Sequence, residues 1–82
     1  FMNRDDILAK TRTVIFDCFP DMAGMELRED TVINTDTAID SMGFTLIICR
    51  IEAKFGIKIP DRQWQKLYTV GDVVDAIEHR LQ

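Results

Sequence analysis

The run from Ser41 to Phe55 constrains this chain more than any other stretch. It is almost wholly apolar, with Arg50, Glu52 and Lys54 its only charged residues. Asp40 or Ser41 is a natural start for a helix, because their side-chain oxygens accept from the first free N–H groups. Gly56 is a natural stop, since it tolerates the left-handed conformation just past a helix end. At about 100° per residue, Phe44, Ile47, Ile48, Ile51 and Phe55 fall on one stripe. Met42, Leu46, Cys49 and Ala53 fall on the opposite one. A small domain needs one such face for its core, so the second invites a partner. Ser41 would stand at the N-terminal end, where the dipole and unpaired N–H groups favour a negative group. By itself an Asp-Ser pair before an apolar run is most often only a cap.

The 82 residues are read as one domain, residues 1–82, with Phe1 ahead of Met2 taken as a cloning remnant. A chain this short buries a limited core, which disfavours a large enclosed active site. With 46% hydrophobic and 29% charged residues it should fold. No apolar run approaches the roughly 18 residues of a membrane span, and no signal peptide is visible. These readings lead to the expectation of a cytoplasmic protein and a monomer. The net charge of −4 disfavours a general nucleic-acid binder. Cys18 and Cys49 have neither metal-like spacing nor a disulfide framework, and His79 is the one histidine. No acid, base and nucleophile set can be named, so no enzyme is expected. Cys18 reads as a small buried thiol and Cys49 as partly exposed.

Along the chain, Asn3 caps a first helix with Asp5 and Asp6 in its first turn. Ile7, Leu8, Thr11, Val14, Ile15 and Cys18 recur at helical spacing, and Pro20 ends the helix near Phe19. Residues 20–39 have no period. They read as an ordered loop with a short helical turn, pinned by Met25, Leu27, Val32 and Ile33. After Gly56, Ile57 and Ile59 belong to an extended connector that Pro60 ends. A short helix runs from Asp61 to about Lys66, with Trp64 or Leu67 packing inward. Thr69 and Asp72 form a capping box before a last helix whose inner face is Val70, Val73, Val74, Ile77 and Leu81. Asp75, Glu78, His79 and Arg80 belong on its solvent side. The expected fold is all-α, a four-helix bundle of three main helices and one short one, with a long loop between helices 1 and 2.

With these elements in place, the chain resembles the acyl carrier proteins. The matching blocks are Asp40-Ser41-Met42, the helix with Ile47, Ile51 and Phe55, the segment Ile57-Lys58-Ile59-Pro60-Asp61, and Thr69-Val70-Gly71-Asp72 leading to Ile77. They stay in register without gaps from Asp40 onward; the first helix and loop match only in pattern. The resemblance implies that a phosphopantetheinyl transferase attaches 4′-phosphopantetheine to Ser41, with Asp40 positioning the site for the transferase and its metal. It further implies that the arm carries acyl groups as thioesters to acyl-loading and acyl-processing enzymes, in fatty-acid, polyketide or specialised lipid synthesis. An aminoacyl or peptidyl carrier is the nearest alternative, though such carriers usually show a Gly-Gly lead-in where this chain has Thr37-Ala38-Ile39. A non-carrier helical interaction module is the other.

The chain departs from the family on the middle helix, which is typically strongly acidic. Positions commonly acidic read Gly43, Leu46 and Ala53, and Arg50 and Lys54 flank the retained Glu52. Met42, Leu46, Cys49, Arg50 and Ala53 are therefore expected to form an apolar docking face with a basic margin. The competing reading has Leu46 and Cys49 packed under the long loop.

Overall fold

A computed structural model describes residues 2–34 and 39–82. Phe1 and the lead-in residues Thr37 and Ala38 thus lie outside the described residues. Helix α1 spans Arg4–Cys18, and Asn3 caps it by accepting from Asp6 N–H at 2.9 Å. Phe19 leaves the helical region at φ −135° and Pro20 opens a 3-10 turn, Pro20–Met22. Helix α2 is Ser41–Phe55, α3 is Asp61–Trp64 and α4 is Val70–Leu81. The described residues contain no strand, only one antiparallel bridge between Val32 and Thr69.

Helix α1 packs against both α2 and α4. It contributes Ile7, Val14 and Ile15 to the core, with Thr11 buried beside them. Thr11 keeps its hydroxyl satisfied by donating to Ile7 C=O at 2.8 Å. Leu8 and Cys18 are only half-buried, so Cys18 is less enclosed than its stripe suggests. From α2 the buried set is Gly43, Phe44, Ile47, Ile48, Ile51 and Phe55, the stripe read from periodicity plus one glycine. Gly56 ends this helix at φ +67°, the left-handed conformation that glycine adopts without strain. Ile59 is buried and Ile57 half-buried, as expected of the connector. The connector is held by Glu52, whose carboxylate accepts from Ile59 N–H at 2.8 Å.

The short helix α3 stops at Trp64 rather than Lys66, because residues 65 and 66 turn the chain toward α4. Leu67 is buried, while Trp64 is half-buried and donates its indole N–H to Ile59 C=O at 2.8 Å. The capping box of α4 forms as the spacing predicts. Its inner face holds Val70, Val73, Val74, Ala76 and Ile77, with Leu81 only partly covered. Arg80 is not a free solvent residue: it donates to Lys58 C=O at 2.6 Å and to Gln63 Oε1.

Residues 29–34 of the long loop are held by hydrogen bonds that leave no periodic trace. Ile33 N–H donates to Tyr68 C=O at 2.8 Å, Val70 N–H to Thr31 C=O at 3.0 Å, and Gly71 N–H to Glu29 C=O at 2.8 Å. Asn34 adds a side-chain bond to Leu67 C=O at 2.7 Å. The apolar pins are Met22, Leu27, Ile33 and Ile39; Met25 and Val32, which the sequence suggested, are exposed. Paired backbone at the α4 start turns Val32 outward. Gly71 is required by this contact, since a Cβ there would stand 2.9 Å from the Glu29 carbonyl oxygen. Gly71→Ala should therefore destabilise the fold by roughly 1–2 kcal/mol, overpacking outweighing the helix preference of alanine. A lowered urea midpoint with unchanged m-value would register it.

Arg4 ties three elements together. Its guanidinium meets Glu29 at 2.6 and 3.1 Å, Asp75 at 2.8 Å and Glu78 at 3.1 Å. The fork raises the Arg4 pKa, and hydrogen bonding from Arg4 holds the Glu29 carboxyl below its ordinary value. A carboxylate depressed in the folded state stabilises above its unfolded pKa, and this is lost as pH falls through the folded value. Acid titration of the urea midpoint should thus show a decline below the ordinary glutamate range, and Arg4→Gln should flatten it.

Candidate functional site

Ser41 is the first residue of α2 and is exposed; it is the only serine of the chain. Asp40 sits before it in extended conformation, and its Oδ1 accepts from Gly43 N–H at 2.8 Å. Phe44 N–H closes the first helical bond on Asp40 C=O at 2.8 Å. The N–H groups of Ser41 and Met42 precede the helical ladder and have no protein partner among the described residues. The result is an accessible hydroxyl beside two outward donors at the positive end of a four-turn helix.

Two hollows flank this hydroxyl. On the α3 side, Asn34, Phe44, Thr45, Trp64 and Gln65 line one with Ser41. On the α1 side, Phe19, Met42, Gly43, Leu46 and Cys49 line an apolar groove that Asp40 and Thr45 edge. Met42 is 83% exposed and Leu46 40% exposed. Cys49, Arg50 and Ala53 are exposed as well, so none of the five expected docking residues is covered by the loop. Phe19 and Gly43 were not legible as groove residues. The one signal was a glycine in the first turn of an otherwise bulky helix; a Cβ there would stand 2.5 Å from Phe19 Cζ.

Both cysteines are free, and burial pushes the Cys18 thiol up while the nearby Arg50 charge opposes it. Among the described residues no cluster of His, Cys, Asp or Glu is arranged to hold a metal ion. None of their helices is long and apolar enough to cross a membrane.

A family model described as the phosphopantetheine attachment site matches residues 14–77. An acyl carrier protein of Thermosynechococcus vestitus is 30% identical over 80 residues, 98% of this chain and 98% of that protein. The chain belongs to the acyl carrier proteins. An acyl carrier protein of Thermotoga maritima is 28% identical over 79 residues, 96% of each chain. One from Helicobacter acinonychis reaches 49% over 43 residues, 52% of this chain and 55% of its own length. This carrier therefore bears phosphopantetheine as its cofactor, and it is a carrier of acyl groups rather than an enzyme.

Proposed function

We propose that Ser41 is the attachment residue, and that the carrier serves fatty-acid, polyketide or specialised lipid synthesis as a monomeric single domain in the cytoplasm. The observation that carries the attachment is the chain's only serine standing exposed at the N-terminus of α2. The residues fit a phosphodiester there. Two unpaired N–H groups and the helix dipole favour an anion against the one adjacent carboxylate, Asp40, and α2 itself carries no acid in its first turn. The bound arm supplies a thiol on which acyl groups are held as thioesters. The chain's own residues present the site. Asp40 secures the first turn so that the Ser41 hydroxyl faces outward, and the core stripe of α2 anchors the helix behind it.

Asp40 also supplies a carboxylate oxygen with no protein partner among the described residues, next to the hydroxyl that a transferase must reach. That placement supports its part in positioning the transferase and its metal. A phosphopantetheinyl transferase and acyl-loading and acyl-processing enzymes are the partners this reading requires.

The test is incubation of the unloaded protein with coenzyme A, magnesium and a broad-specificity phosphopantetheinyl transferase, followed by intact mass and peptide mapping. One phosphopantetheine on the peptide containing Ser41 is expected. A product mapped elsewhere, or none, would overturn the assignment.

A further inference from the structure

The three charged residues of α2 are not equivalent once folded. Glu52 is turned to the connector, where its carboxylate accepts from Ile59 N–H. Arg50 and Lys54 are exposed, and neither makes an ion pair among the described residues. Arg50 follows the groove residue Cys49 and stands four residues, about one turn, past Leu46, so it borders the late end of the groove. Asp17 is exposed in the last turn of α1, and Asp40 edges the groove at its Ser41 end with one oxygen committed to Gly43 N–H. The acids thus gather at the end of α1 and at the cap, while the later turns of α2 present free positive charge.

The groove itself is apolar and begins beside Ser41. Leu46 and Met42 project from it, Phe19 forms its wall, and Gly43 lets that ring approach the helix. Any enzyme that works on the Ser41 hydroxyl must cover this surface, because Met42 follows Ser41 directly and Leu46 stands little more than one turn further on. We propose that the groove seats an apolar ridge of the enzymes that act at Ser41, and that this ridge is rimmed by carboxylates which meet Arg50 and Lys54. The proposal rests on Ser41 being the attachment residue. The apolar contact supplies affinity, and the rim charges set encounter rate and choice of partner. An enzyme surface built of lysines and arginines would be repelled by the late turns of α2, whereas an acidic one is drawn to them.

The probe is the phosphopantetheinyl transferase encoded in the same genome as this carrier, assayed at varied carrier concentration. Leu46→Glu should raise KM at least tenfold with kcat nearly unchanged. Arg50→Glu combined with Lys54→Glu should raise KM severalfold. Added salt should raise KM for wild type, yet not for the doubly reversed variant. Circular dichroism confirms that each variant is folded, as expected for exposed positions. Wild-type KM retained by Leu46→Glu would overturn the apolar ridge, and a lower KM in the charge-reversed variant would overturn the acidic rim. A concentration-dependent dimer of wild type that Leu46→Glu abolishes would assign the groove to a second copy instead. Failure of the Ser41 reading is distinct: wild type itself would then gain no phosphopantetheine on Ser41 under any condition.

Discussion

Ser41→Ala should abolish phosphopantetheine loading completely while leaving the fold intact. The hydroxyl makes no hydrogen bond among the described residues, and Thr45 Oγ1 donates to the Ser41 carbonyl at 3.0 Å, a backbone contact that alanine keeps. Stability should therefore change by no more than about 0.5 kcal/mol. Intact mass after treatment with transferase, coenzyme A and magnesium is the readout, with circular dichroism as the folding control. A comparison at Asp40 separates two roles. Asp40→Ala removes the cap on Gly43 N–H and should cost about 1 kcal/mol as well as slowing loading. Asp40→Asn keeps a cap acceptor but removes the charge. It should preserve stability, and a slower loading rate in that variant would isolate the contribution of the carboxylate. Loading of Ser41→Ala at any rate would refute the attachment site.

Ile15→Ala should produce one of the largest losses of stability of any single truncation on α1. Ile15 is fully buried, and its helix is the one that packs on both α2 and α4. Truncation of such an isoleucine costs about 2–5 kcal/mol from lost transfer energy and the cavity left behind. A domain of this length has only about 4–12 kcal/mol in total. The variant is thus expected to lose from about a sixth to all of its stability, visible as a lowered thermal midpoint and early urea unfolding. Met42→Ala, at an 83% exposed position, should stay within about 0.5 kcal/mol on the same assays. Equal losses at the two positions would contradict the division of apolar residues between core and groove.

That division is readable in α2 from its sequence, because a helix converts sequence spacing directly into faces. Phe44, Ile47, Ile48, Ile51 and Phe55 went inward and Met42, Leu46, Cys49 and Ala53 outward as the 100° rule requires. The caps at Asn3, Asp40, Gly56 and Thr69 were equally legible, since each depends on side chains within three or four residues. The loop was only half legible. Its described part is held by Glu29, Thr31 and Ile33 pairing with Gly71, Val70 and Tyr68, roughly forty residues away. Hydrogen bonds between backbones leave no mark in residue type, so Met25 and Val32 looked like pins when Met22 and Ile39 were.

The sequence by itself determined the four helices, the caps that start and stop them, and the serine placed at the head of α2, all of which follow from interactions within one or two turns. Only the tertiary structure decided which charges of α2 are free, that Phe19 walls a groove against Gly43, and where the loop crosses the fold. Those outcomes depend on residues far apart in the chain, such as Phe19 with Gly43 and Arg4 with Glu29. Such contacts exist only once the packed core has brought the helices together.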